Sequence, residues 1–233
     1  MVFEEVDSNE DSKAFDSIRL GFKTFNIDLL KPFMTKGLQK EVNEIQAVFD
    51  KYTKLYNKSG KTTFEDRLSD GFSVEGTLGL ARFTNSNRKL GNLEFMYTYT
   101  RQRPVIIEIL VNNDGIKYEF PLIHKKIKAI REEENKLKEV KDYPKIVKKY
   151  KELVSITNSL EDYYANPNDG LARKSNYLGG LSWYSLLVNN PSEAIEYANR
   201  GLEIWNFNTW INTNLALGYA LNGDMDKAKE LYT

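Results

Sequence analysis

Along the chain, apolar positions first recur at helical spacing, then alternate, then return to helical spacing. Phe15, Ile18, Phe22, Phe25 and Leu29 fit one helical face, although Ile18, Leu20 and Phe22 also alternate as in a strand; the helical reading is the better one. Leu38, Val42, Ile45, Phe49, Tyr52 and Tyr56 trace the stripe of a helix over 38–56 that stops before Ser59-Gly60. The period then drops to two. Phe72, Val74, Leu78 and Leu80 can share one face of a strand, and Leu93, Phe95, Tyr97 and Tyr99 one face of the next. Val105, Ile107, Ile109 and Val111 follow a turn at 101–104, and Ile106 with Leu110 makes the other face apolar too, which predicts a central strand. Asn112-Asn113-Asp114-Gly115 is a hairpin turn of residues that tolerate positive φ, and Ile116, Tyr118 and Phe120 alternate after it. Four consecutive strands with short connections predict an antiparallel meander covered by the 38–56 helix.

After Pro121 no strand pattern returns. Ile123, Ile127, Ile130 and Leu137 line a charged helix, and Asp142-Tyr143-Pro144 supplies an N-cap and a first-turn proline for the next. Ile146, Tyr150, Leu153, Thr157, Leu160 and Tyr164 predict a helix over 144–165, ended by Asn166-Pro167-Asn168-Asp169-Gly170. The chain therefore reads as an acidic, disordered lead-in over 1–13, an α+β domain over 14–121, a helical connector or degenerate repeat over 122–174, and helical repeats over 175–233.

Composition narrows the chemistry. The 233 residues hold 33 Lys plus Arg, 33 Asp plus Glu, one His and no Cys. Thiolate metal sites, cysteine nucleophiles and disulfides are excluded, as is any site needing two imidazoles. No catalytic constellation can be built from spacing, and no cofactor or metal is predicted. Zero net charge disfavours nucleic acid as the partner of the whole chain, and no apolar run approaches a membrane span. The first eleven residues carry Glu4, Glu5, Asp7, Glu10 and Asp11 and no base, unlike a signal peptide. A cytoplasmic location is the default, with a periplasmic or secreted one open if a leader has been removed.

The most informative pattern is a repeat. Ser192-Glu193-Ala194-Ile195-Glu196-Tyr197-Ala198 and Asp226-Lys227-Ala228-Lys229-Glu230-Leu231-Tyr232 are similar, and their alanines stand 34 residues apart. Small residues let paired helices approach, and Gly or Asn reverses the chain between them. Residues 175–233 resemble the tetratricopeptide repeat family, whose period is about 34 residues. Aligned on Ala194 and Ala228, Leu181 and Leu215 fall on the family's first-helix leucine and Ser182 and Ala216 on its small residue. Ser185 and Tyr219 fall where it prefers Tyr. Asn222-Gly223-Asp224 matches the interhelix turn and Asn189-Asn190-Pro191 is a looser equivalent. Gly201 and Trp205-Asn206-Phe207-Asn208 depart from the pattern. On this reading 122–140 and 144–165 are a degenerate preceding unit. The chain ends inside the second helix of its last repeat, so a larger polypeptide is expected, and there is a weaker resemblance to large bacterial multidomain proteins that carry such repeats.

The resemblance implies a scaffold module whose first helices form a groove for a protein or peptide partner. Carried over by position, the groove residues are Asn176, Trp183, Leu186 and Leu187 from the first unit, and Trp210, Thr213, Asn214, Leu217 and Leu221 from the second. The competing reading puts Trp183 and Trp210 in the core between helices. Asn214 sits where some relatives clamp a carboxylate, but the accompanying bases are missing.

Other features weigh less. Ser59-Gly60-Lys61-Thr62 lacks the first glycine of a phosphate-binding loop and follows a helix, so a plain turn accounts for it. Eleven basic residues against five acidic between 124 and 151 form either a ridge for an acidic partner or, as the better account, a solvated face with pairs such as Glu132–Lys136 and Glu134–Lys138. His124 reads as a surface or capping residue. The meander with its helix also resembles, in topology alone, cone-shaped domains of the nuclear-transport-factor-2-like type, which would imply a small-molecule pocket, with or without enzymatic activity, lined by Tyr97, Tyr99, Tyr118 and Glu108.

Overall fold

The computed structural model describes residues 8–57, 62–73, 76–85, 93–100, 104–113 and 115–231, and the chain divides into two compact units, Met1–His124 and Lys125–Thr233. The fold is α+β: helices and an antiparallel meander in the first unit, helical hairpins in the second.

In the first unit, α1 (Ser8–Thr24) begins inside the stretch expected to be disordered; of the acidic lead-in, residues 1–7 lie outside the described residues. Phe25, at φ 55°, and Asn26, which accepts from the Asp28 amide at 3.0 Å, turn the chain into α2 (Ile27–Leu30). Gly21 lets that turn close, since a Cβ there would stand 2.5 Å from a Leu30 methyl. A 3-10 turn at Lys31–Phe33, then α3 (Lys36–Gln39) and α4 (Val42–Asn57), replace the single helix expected from 38. The period survives the break, because Leu38 and Ile45 are both fully buried.

Among the described residues the sheet has five strands rather than four. β1 (Thr62–Ser73), β2 (Gly76–Asn85), β3 (Leu93–Tyr99), β4 (Ile106–Asn113) and β5 (Ile116–Phe120) pair antiparallel in chain order. The stretch read as one strand through Phe72 and Leu80 is the tip of the β1–β2 hairpin, where Ser73 pairs with Gly76; Val74 lies outside the described residues. β1 carries no alternating pattern, because Glu65-Asp66-Arg67 and Ser69-Asp70 interrupt its apolar positions. β4 is flanked on both sides, but the middle place belongs to β3. A bulge also shifts its phase: Thr98 pairs with Glu108 and Tyr99 with Ile106, leaving Ile107 as the extra residue. Ile106, not Ile107, is therefore buried with Ile109 and Val111. The turn to β5 holds Gly115 at φ 86°, while Asp114 and residues 101–103 of the preceding turn lie outside the described residues.

The second unit is three helical hairpins: α5 (Leu122–Glu139) with α6 (Tyr143–Ile156), α7 (Pro167–Leu187) with α8 (Pro191–Ile204), and α9 (Trp210–Leu221) with α10 (Met225–Glu230). One device makes all three turns. Lys141, Asn189 and Gly223 are left-handed, at φ 56°, 57° and 89°, and the next amide reaches back to the carbonyl of Leu137, Ser185 or Tyr219 at 2.9–3.0 Å. The residue donating that amide, Asp142, Asn190 or Asp224, then caps the following helix by accepting from Lys145, Glu193 or Lys227 at 3.2–3.3 Å.

Two helix boundaries differ from expectation. α6 stops at Ile156, where Thr157 turns its hydroxyl back onto the Leu153 carbonyl at 2.8 Å, and a 3-10 turn follows at Leu160–Tyr163. Asn166-Pro167 starts a helix instead of ending one, because Asn166 caps and Pro167 needs no amide partner. Gly170 is thereby inside α7, where a Cβ would collide with the Glu161 backbone at 2.4 Å.

Candidate binding site

In the first unit, rings from α1, α4 and the sheet pack against one another. Tyr97 and Tyr99 are buried; Phe22 stacks on Tyr97 at 4.7 Å, and Phe49 meets Phe95 edge to face at 5.3 Å. Tyr118 sits half-buried on β5, and Glu108 pairs with Thr98 rather than joining them. Lys51 donates to the Tyr118 hydroxyl at 2.9 Å, and that hydrogen bond holds the phenol below its ordinary pKa. Ser59, Gly60 and Lys61 lie outside the described residues. Among the described residues no group of three His, Asp or Glu is placed to hold a metal ion, and no helix is long and apolar enough to cross a membrane.

The second unit holds exposed rings and a cavity. On α7, Asn176, Gly180, Trp183 and Leu187 follow one another at four, three and four residues and so share a helix face. Trp210, Asn214, Leu217 and Leu221 do the same on α9. Trp183, Trp210 and Leu221 are 41%, 45% and 53% exposed, and Asn176, Leu187 and Thr213 are exposed as well. The two tryptophans are thus not core residues. Leu217 is half-buried. Leu186 and Asn214 are buried and belong to the packing, contrary to their placement in a groove. Asn214, 4% exposed, turns inward because its side-chain amide donates to the Gly179 carbonyl at 3.0 Å.

Residues about one repeat apart hold α7 to α9. The Trp210 indole donates to Asn176 Oδ1 at 3.3 Å and Asn208, just before α9, donates to Ser175 Oγ at 2.8 Å, while Ser175 Oγ in turn donates to the Gly201 carbonyl of α8 at 2.8 Å. The glycine pair in mid-helix makes the approach possible. A Cβ on Gly179 would lie 2.4 Å from the Trp210 ring, and one on Gly180 2.3 Å from the Tyr150 ring, so α7 takes a large ring on each flank.

A cavity of about 520 Å³ opens beside this pair, lined by Ile127 and Arg131 of α5, Tyr150 of α6, Arg173, Asn176, Tyr177 and Gly180 of α7, and Trp210 of α9. Two of its lining residues, Arg131 and Tyr150, hold a buried carboxylate. Glu134, fully buried, is 2.7 Å from Arg131 and 2.5 Å from Lys138, and it accepts from Tyr150 Oη at 3.0 Å; Arg131 also donates to Tyr150 at 3.0 Å. Burial, and then the neighbouring carboxylate, push the Tyr150 phenol well above its ordinary pKa; burial raises Tyr177 too, so both phenols stay protonated at neutral pH.

In the sequence Arg131 is one of the bases between 124 and 151 and Tyr150 one of the apolar stripe of its helix, and no local pattern marks Arg173 or Tyr177. The adjacent glycines were the one cue, since a glycine pair inside a helix asks for a close neighbour. Of the two predicted charge pairs, Glu134–Lys138 forms, and Lys145, Lys149 and Lys151 pair with Asp142, Glu133 and Glu193. No family model matches this chain, and no curated protein matches it significantly.

Proposed function

We propose that this chain is a protein-interaction module of tetratricopeptide type, in which the first helices of consecutive hairpins present a face that binds a partner peptide or helix. The observation that carries the reading is the exposed row of Trp183, Leu187, Trp210 and Leu221 on α7 and α9, helices joined by side chains about one repeat apart. Large rings left half-exposed are unusual in a well-packed bundle and are the residues that dominate binding energy at interfaces. The identical turn in all three hairpins supports counting α5 and α6 as a degenerate first repeat.

Selection of a random-peptide library on the whole chain tests it. Peptides should be enriched that compete with one another for one site and fail to bind a Trp183→Ala/Leu221→Glu variant whose circular dichroism is unchanged. Asn214 is unsuitable as a test position because it is structural. Peptides that bind the variant as well as the wild type would remove this face as the site.

A further inference from the structure

We propose that β5 is an edge through which two copies of this chain pair, antiparallel about a two-fold axis at Tyr118, so that their sheets join into one. The inference is independent of the face on α7 and α9.

The backbone leaves this edge open. β5 ends the strand order, and among the described residues no strand lies beyond it. Asn113 and Ile116 face each other across a two-residue connection, and such a connection closes on a hydrogen-bonded pair. Ile116, Tyr118 and Phe120 therefore turn their N–H and C=O groups to β4, while Lys117 and Glu119 turn theirs outward. Tyr118 fixes the strand from the helix side: its hydroxyl accepts from Lys51 of α4 at 2.9 Å, and its ring meets that of Tyr52 edge to face at 6.4 Å. A strand already held in place, with unused donors and acceptors, needs little further ordering to take up another.

The side chains say which strand it takes. Lys117 is exposed and Glu119 half-buried, and neither has an ion-pair partner among the described residues. A lone lysine on an edge is a common guard against pairing. Here Ile116-Lys117-Tyr118-Glu119-Phe120 is complementary to its own reverse. With Tyr118 at the centre, Lys117 of each copy lies opposite Glu119 of the other, which puts two opposite-charge pairs on one face of the joined sheet. On the other face Ile116, 54% exposed, gains Phe120 of the second copy as its neighbour. The registers two residues to either side use the same outward groups but set Lys117 against Lys117, or Glu119 against Glu119. Charge thus selects a single register. A strand of arbitrary sequence would satisfy the amides without answering both charges, and this favours a second copy as the occupant.

A contact of five residues a side is smaller than a stable interface, so the dimer should be a weak one. Sedimentation velocity on the whole 233-residue chain, from about 10 µM to about 1 mM, should show a dimer that grows with concentration. Lys117→Glu and Glu119→Lys each place like charges opposite one another twice. Either change alone should weaken the dimer about tenfold while leaving the circular dichroism unchanged. Mixed in equal amounts, the two variants should associate with each other to within about threefold of wild type, because two acidic residues of one then face two basic residues of the other. A wild type that stays monomeric over this range would overturn the proposal and leave the edge to a strand of another protein. A dimer that survives Lys117→Glu undiminished, or a mixture of the two folded variants that associates no better than either alone, would overturn it as well.

Discussion

The first and second hairpins use the same turn and opposite packing. Seven residues before the left-handed turn residue stand Glu134, Ser182 and Ala216; four residues after the cap stand Ile146, Ala194 and Ala228. In the second hairpin the pair is small on both sides, and Ser182 Oγ, fully buried, donates to the Ala194 carbonyl at 2.8 Å. In the first, a glutamate and an isoleucine occupy those places, and the helices are joined through Glu134, Tyr150, Arg131 and Lys138. The difference teaches what the substitution achieves. A small residue at that position makes a hairpin close on itself, while the glutamate holds Arg131 by its side so that the guanidinium lines a cavity instead of roaming in solvent.

The contrast is most easily broken at Glu134. Breaking a buried ion pair by deleting one partner costs about 3 kcal/mol, here eased because Arg131 and Lys138 can turn to water while the buried Tyr150 hydroxyl cannot. Glu134→Ala should therefore destabilise the second unit by about 3 kcal/mol, and Ser182→Ala, which keeps the small residue that Ala216 already shows to be compatible, by no more than about 1 kcal/mol. All three tryptophans, at 183, 205 and 210, lie in this unit, so urea unfolding followed by tryptophan fluorescence reads it directly. Equal losses for the two variants would mean that the two hairpins are held in the same way.

The glycine pair separates the flanks of α7. Gly180→Ala forces the buried Tyr150 ring to move, an overpacking cost of roughly 1–3 kcal/mol against a helix-propensity gain of about 1 kcal/mol, so a net loss of about 1 kcal/mol is expected. Gly179→Ala meets Trp210, which is 45% exposed and can swing outward, and also the fully buried Ile211, whose Cγ1 would stand 2.8 Å from the new Cβ. Its stability loss should be smaller than that of Gly180→Ala, and its fluorescence should shift to the red. A loss for Gly179→Ala as large as that for Gly180→Ala would show that Trp210 and Ile211 together are held as firmly as Tyr150.

How much of this was legible depended on whether the cause was local. The 34-residue recurrence of Ala194 and Ala228 and the stripe on α4 could be read because one periodic face carries them. β1 could not, since its central residues are charged and its evidence is the pairing with β2 across a hairpin. The bulge at Ile107 was hidden for a similar reason: an alternating run looks the same until its partner strand sets the register. Of the proposed groove, Trp183, Trp210 and Leu221 are exposed as the resemblance implies, but Asn214 faces inward because of a carbonyl exposed by a glycine 35 residues away. The cavity joins residues from α5 to α9, and no local pattern gathers Arg131, Arg173 and Trp210.

The smallest effects test the turns themselves, where two caps are aspartates and one is not. Lys145 beside Asp142 and Lys227 beside Asp224 hold both carboxyls below the ordinary value of 3.8, chiefly through side-chain hydrogen bonds. A depressed folded pKa contributes stability that is present above the unfolded value and lost as pH falls through the folded one. The Asp142→Asn/Asp224→Asn double variant keeps the caps, because Asn serves there as well as Asp, and loses the charge. It should be slightly weaker than wild type at neutral pH and should lose less than wild type on acidification from about pH 5 to about pH 2. Asn190 inverts the case, because the residue three positions on is Glu193, bound to Lys151 at 2.9 Å, instead of a lysine. Asn190→Asp sets two carboxylates together, which raises their folded pKa values. It should therefore weaken the protein at neutral pH and give that loss back as the solution is acidified. An Asn190→Asp variant that is instead stronger than wild type at neutral pH and loses that gain on acidification, read as the urea midpoint of tryptophan fluorescence, would show that the neighbouring side chain has no influence on the cap.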